Sequence, residues 1–167
     1  MYRMTTVCTG NICRSPMAEY MLRTALVDAG IEGVLVDSAG TTDWEVGRPI
    51  DPRAGALLRS HGINADGHLA RQFEPVWFRG TDLVLALDHE HYLDLLKLQP
   101  ESTTPGTVRM LRSFDPAVAG AAPAMQGIYD PWYGDEADFR ASWQMISAAI
   151  PGVLNFVRSE LLHSRGH

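Results

Sequence analysis

The chain has two cysteines, and both fall in the N-terminal segment "VCTGNICRSPMAEYML" as Cys8 and Cys13, directly ahead of Arg14, Ser15 and Pro16. A free cysteine most often fills a core as a small apolar residue. Beside an arginine and a helix start a second chemistry is available, that of a thiolate at the base of an anion-binding loop. Met4 to Val7 reads as a strand, Ser15 as a helix N-cap and Pro16 as the first helical residue. Cys8 to Arg14 is then the turn from a strand's C-terminal end into a helix N-terminus, the place where open α/β sheets bind ligands. Gly10 permits close backbone approach and Asn11 tolerates a left-handed conformation, so several N–H groups can point at one centre. The helix N-terminus adds partial positive charge, and the Arg14 guanidinium offers a planar fork to two oxygens of an anion. The same field favours the ionised form of a thiol beneath it, so Cys8 would face a bound phosphorus as a thiolate.

Such a loop needs a sheet to end in it and helices to flank it. Near-continuous apolar runs bounded by turn signals predict buried parallel strands over 4–7, 34–38, 82–88 and 107–111. Helical periodicity predicts helices from Pro16 to about Ala29, Pro52 to His61, His89 to Leu98 and Ala137 to Leu162, the last broken or bent near Pro151. The alternation implies right-handed crossovers and an α/β fold of three layers, a parallel sheet with helices on both faces. One stretch has no periodicity of its own: the Gly/Pro/Ala-rich "SFDPAVAGAAPAMQGIYDPWYGD", which ends in a cluster of Asp and aromatic residues. Loops of that length in compact domains are commonly functional.

Bulk properties narrow the function classes. A length of 167 residues suits one domain, spanning 1–167, and is short for two. With 46% hydrophobic and 20% charged residues, the composition is that of an ordinary globular protein. A net charge of -6 supplies no basic field for nucleic acid or an acidic membrane, so neither is an expected partner and any anion site is local. The opening "MYRMTTV" reaches a polar turn before a signal-peptide core can form, and no later run reads as long and apolar enough for a bilayer span. The expected compartment is the cytoplasm, where two cysteines make no permanent bridge. Two thiols without a histidine pair at ligand spacing also make no metal site.

The run Cys8-Thr9-Gly10-Asn11-Ile12-Cys13-Arg14-Ser15-Pro16 strongly resembles the phosphate loop of the low-molecular-weight protein tyrosine phosphatases. The resemblance lies in the C-x5-R spacing, in Gly10-Asn11, in Arg14-Ser15-Pro16 and in the position at the extreme N-terminus. "DSAGTTDWEVGRPIDPRA" from Asp37, "HLARQF" from His68 and "DPWYGD" from Asp130 follow in the same order, so it spans Arg3 to about Leu162. Arginine far outnumbers the single lysine, Lys97, which associates the chain with bacterial members. The resemblance implies a Rossmann-like, four-stranded parallel sheet of order 2-1-3-4 with the phosphate loop between strand 1 and helix 1. It implies hydrolysis of protein phosphotyrosine with inorganic phosphate as product, by a monomer or weak dimer that uses no cofactor and no metal.

By the same resemblance Cys8 is the nucleophile that forms a phosphocysteine, and Thr9, Gly10, Asn11, Ile12, Cys13, Arg14 and Ser15 hold the phosphate. Asp130 is the general acid for the leaving phenolate and then the base for water. Asn11, Ser15, Ser38 and His68 brace the loop, with Ser15 capping the helix and donating its hydroxyl to the Cys8 sulfur. Trp44, Trp132 and Tyr133 form the aromatic walls of a slot too deep for phosphoserine. Relatives often carry Tyr-Tyr after Asp-Pro, and this chain has Trp132-Tyr133. Cys13 has two readings: a partner for a reversible Cys8–Cys13 disulfide under oxidation, or a packed thiol in the loop.

Rival chemistries are weaker matches. An arsenate reductase of the same fold relays oxidation through further cysteines, and none follows Cys13. A protein-arginine phosphatase carries Thr where this chain has Ile12. A non-catalytic phosphate-binding module would lack the nucleophile or the acid. Among other residues, His89 and His91 of "DHEH" read as solvated, Trp77 and Trp143 as packing, and Arg48, Arg53 and Arg71 as either charge partners or docking residues for a phosphopeptide. Peptide mapping after mild peroxide is expected to recover a Cys8–Cys13 bridge. Recovery of overoxidised Cys8 without it would leave Cys13 a packing residue.

Overall fold

The computed structural model describes residues 1–104 and 106–164. Four strands, β1 (Tyr2–Cys8), β2 (Val34–Gly40), β3 (Leu83–Ala86) and β4 (Val108–Met110), form one sheet of order β2-β1-β3-β4, and every neighbouring pair is parallel. Four α-helices alternate with them: α1 (Arg14–Asp28), α2 (Pro52–Ser60), α3 (His89–Leu98) and α4 (Glu136–Ser164). The class, strand order and loop position expected from the sequence are the ones observed.

The strands read as unbroken apolar runs because both faces are covered. In β3 and just beyond it, Leu83, Leu85 and Leu87 join Met4 of β1 in a core with Met17 and Leu22 of α1, Leu58 of α2, and Phe139, Ile146 and Val153 of α4. Val84 and Ala86, between them in sequence, point the other way with Val7, Val108 and Met110 to meet Leu95 of α3 and the Phe73–Phe78 pair. The residue Trp77 packs edge-on against Phe73, and Trp143 stacks on His61, so both serve packing as expected.

Two helix boundaries depart from the sequence reading. The first concerns α1, which begins at Arg14 with Cys13 at the N-cap, so Ser15 is no cap and Pro16 lies inside the first turn. The chain turns helical earlier because Asn11, at φ 58°, has already reversed it. The Met17 N–H can therefore close the first helical bond on the Cys13 carbonyl at 3.1 Å. The second concerns α4, expected to break or bend near Pro151, which runs as one helix through it. The missing Pro151 N–H costs one bond, to the Ser147 carbonyl, while Ala149, Val153 and Val157 stay buried in the core on either side of it. By length and composition α4 also meets the requirement for a bilayer span, contrary to expectation. Its apolar stripe faces the core of this fold, and Arg140, Arg158 and Glu160 stand elsewhere on the helix.

The sheet and the loop meet most tightly at Gly40. Paired with Cys8 in register, it leaves no room for a side chain: a Cβ there would stand 2.6 Å from the Thr9 carbonyl oxygen and 3.3 Å from the Asn11 nitrogen. Gly40→Ala is expected to lower the unfolding free energy by about 1–3 kcal/mol, read as a fall in the midpoint of thermal unfolding.

Candidate active site

The loop from Cys8 to Arg14 is shaped by where its carbonyls go. The Cys8 carbonyl accepts from Thr41 N at 2.8 Å, and that of Thr9 from Thr42 N at 3.1 Å and Thr42 Oγ1 at 2.9 Å. The Asn11 carbonyl accepts from His68 Nε2 at 2.7 Å, and that of Ile12 from Asp51 N at 2.8 Å. With the acceptors tied to surrounding segments, the N–H groups of Gly10, Asn11, Ile12 and Cys13 donate to no protein acceptor among the described residues. A row of free amides ahead of a helix N-terminus is an oxyanion cradle.

Behind the cradle lies a buried polar relay. Asn11 is fully buried; its Nδ2 donates to Ser15 Oγ at 2.9 Å and Ser38 Oγ at 2.8 Å, and its Oδ1 accepts from Arg71 N at 3.0 Å. The Ser38 hydroxyl in turn donates a hydrogen bond to the Glu19 carboxylate. Because a carbonyl only accepts, His68 carries its proton on Nε2, and its Nδ1 faces Glu19 at 4.0 Å. The Ser15 hydroxyl stands 2.9 Å from Cys8 Sγ and 3.3 Å from the Ala39 carbonyl. It has one hydrogen to give, to Ala39 when Cys8 is a thiol and to the sulfur when Cys8 is a thiolate. The sequence assigned Ser15 two tasks; the geometry retains the one directed at sulfur.

Arg14 is 4% exposed, and both terminal nitrogens of its fork are held. Nη1 donates to the Ile128 carbonyl at 3.1 Å and Asp88 Oδ2 at 3.4 Å, and Nη2 to Asp130 Oδ2 at 3.2 Å. Asp88 also caps α3 through the His89 N–H at 2.7 Å. Asp130 is fixed by an N–H from Trp132 at 3.1 Å and is about half exposed. Arg53 clamps the following turn, donating to the Trp132 and Gly134 carbonyls at 3.1 Å each while anchored on Asp51 and lying over the Phe139 ring. Cys8, Arg14 and Asp130 line one cleft of about 260 Å³, the first two buried in it and Asp130 half exposed at its side. Trp44, Trp132 and Tyr133 form its exposed walls, and Glu45 stands among them.

The residues expected from the sequence to hold the phosphate, brace the loop and wall the pocket meet here, either lining the cleft or supporting the loop. Asp88, Glu19, Asp51, Glu45 and His91 were missed. For Asp88 a signal existed, since it follows β3 and therefore lies at the same sheet edge as Cys8. Of the two "DHEH" histidines, His91 is buried at 2% exposure, not solvated, because α3 turns it under the loop. Its Nε2 lies 2.8 Å from Thr9 Oγ1. Burial first, and then the Arg14 guanidinium, lower its pKa from 6.5 to about 4, with Asp88 opposing. The unfolded chain protonates this ring more readily, so the stability of the neutral ring is complete above pH 6.5 and is lost as pH falls towards 4. Burial raises the Cys13 thiol, assisted by Asp51, so Cys13 rests protonated at neutral pH. Arg71 pairs with Asp37 and Arg48 with Glu45, which answers two of the open arginines as charge partners.

Asn11→Ala removes three buried hydrogen bonds and puts a Cβ residue without a local polar partner at positive φ. Each orphaned buried group costs about 1–3 kcal/mol, so thermal unfolding should show a large fall for Ala. Gly, which relieves only the backbone, should recover part of it.

A family model described as low molecular weight phosphotyrosine protein phosphatase matches residues 3–163. The chain is 48% identical over 162 residues to a low molecular weight protein-tyrosine-phosphatase of Streptomyces coelicolor, covering 96% of each chain. Among solved structures it is similar to YfkJ from Bacillus subtilis, with 31% identity, a TM-score of 0.83 and 96% of each chain covered. It is also similar to DARP, a Drosophila arginine phosphatase, with 27% identity, a TM-score of 0.82, and 92% of this chain and 96% of that one covered. With the match running almost from end to end, and the cradle, the buried arginine and the facing aspartate gathered in one cleft, the chain belongs to the low molecular weight phosphotyrosine protein phosphatase family.

Proposed function

We propose that the chain hydrolyses phosphotyrosine in proteins through a phosphocysteine on Cys8. The observation that carries the reading is the meeting of Arg14 and Asp130, 116 residues apart in sequence, at 3.2 Å beside Cys8. A phosphoryl group seated on the free loop amides takes two of its oxygens to the Arg14 fork and presents phosphorus to Cys8 Sγ. As the S–P bond forms, the bond to the phenolic oxygen breaks and Asp130 gives that oxygen its proton. A water molecule then attacks phosphorus, Asp130 accepts the water's proton, and the S–P bond breaks to release inorganic phosphate. Ser15 supports the departing thiolate with its hydroxyl. The chemistry is mostly positioning and charge.

The cleft walls favour an aryl substrate. Trp44, Trp132 and Tyr133 offer faces on which a phenyl ring can stack, while the sulfur lies at the bottom on a residue only 3% exposed. Ile12 at the floor, where arginine phosphatases carry Thr, argues against phosphoarginine.

The test is hydrolysis of an aryl phosphate and of matched phosphotyrosine, phosphoserine and phosphoarginine peptides, with chelator present. Turnover of the aryl and phosphotyrosine substrates, lost in Cys8→Ser, is the expected result. Preference for phosphoarginine would move the assignment to that chemistry, and phosphate binding without turnover would make the site a binding module. Asp130→Ala is expected to reduce kcat by about 10²–10⁴ and to abolish the basic limb of the pH–rate profile. Near-normal turnover would remove Asp130 from the acid role.

A further inference from the structure

We propose that His91 is a positioning residue for the phosphate loop, acting through Thr9, the residue next to the nucleophile. The proposal rests on reading that loop as a phosphate cradle. Thr9 is gripped from two directions. On one side its carbonyl accepts from the N–H and hydroxyl of Thr42, in the segment after β2. On the other, His91 enters from the first turn of α3 and meets the Thr9 hydroxyl at 2.8 Å. Thr9, with its peptide to Gly10, is thereby pinned between two elements that otherwise approach the loop separately.

The second observation concerns the other ring nitrogen. His91 Nδ1 is buried and has no hydrogen-bond partner among the described residues. A position that required only bulk would be filled better by an apolar side chain, which leaves no polar atom stranded. The imidazole's one polar contact is with Thr9, and that contact is what distinguishes it from a hydrocarbon of the same size. A buried, unpartnered nitrogen is less costly as a bare lone pair than as an N–H. The proton therefore resides on Nε2, which donates to Thr9 Oγ1. The charged groups facing the ring are Arg14 from α1 and Asp88 at the start of α3. A neutral ring leaves the pairing of those two undisturbed.

The test compares His91→Phe, His91→Gln, Thr9→Val and the Thr9→Val/His91→Phe double variant. Two quantities are measured: kcat and KM for an aryl phosphate, and the affinity for inorganic phosphate by calorimetry, which needs no turnover. Loss of one buried hydrogen bond at the cradle should weaken phosphate binding roughly tenfold in each single variant. The double variant should be no worse than the poorer single one. Gln, whose amide nitrogen reaches the place of Nε2, should restore most of the affinity that Phe loses. Wild-type affinity in a folded His91→Phe, multiplying losses in the double variant, or a Gln variant as poor as Phe would each overturn the proposal. Should His91→Phe fail to fold, Thr9→Val decides alone, and wild-type phosphate affinity there overturns it. A wild-type protein that neither binds phosphate nor turns over the ester would instead overturn the reading of the site itself.

Discussion

The active end of this molecule depends on one backbone constraint: a loop can offer its amides to an anion only if its carbonyls are satisfied elsewhere. Asn11 enforces this. Its left-handed conformation at φ 58° reverses the chain, and its buried amide bonds two serines and the Arg71 backbone, locking the reversal in place. The carbonyls of Cys8, Thr9, Asn11 and Ile12 are then collected by three separate stretches of chain. Desolvated acceptors without partners would be expensive, so the loop's shape and the fold around it are settled together.

Charge is arranged under the same constraint. A guanidinium as buried as Arg14 needs charge partners and hydrogen bonds. Asp88, Asp130 and the Ile128 carbonyl take donors of its two terminal nitrogens, with the two carboxylates being the more exposed partners. Asp88 and the Ile128 carbonyl hold Arg14 independently of Asp130. Both retainers depend on the end of β3: Leu87 accepts the Ile128 N–H at 2.8 Å, and Asp88 follows directly. Gly127 makes room for this, since a Cβ on it would lie 2.5 Å from Asp88 Oδ1.

Much of this was legible in the sequence where the physics is local. Cys8 to Pro16 is contiguous, so its spacing alone carried the strand end and the turn and put the helix start within two residues. The doubly covered strands announced themselves as apolar runs, and Pro52 opens the second helix where the sequence placed it. The misreadings were at positions where a distant partner overrides local preference. Ser15 has the chemistry of an N-cap, but the sulfur of Cys8 and the amide of Asn11 claim its hydroxyl inside the first turn. His91 has the composition of a surface residue, but the crossing of α3 over the sheet edge buries it beneath Thr9.

The sequence by itself determined the sheet's parallel character and the placing of the Cys8-to-Arg14 loop at its C-terminal edge. Each of these follows from residue type and short-range periodicity. Only the tertiary structure decided which far residues complete the site: Asp88 beside Arg14, Glu19 behind Ser38, Arg53 across the Trp132 turn and His91 under Thr9. The reason is that strand order and helix packing bring these groups together across tens of residues of chain, and no spacing within a single segment encodes a distance between two of them.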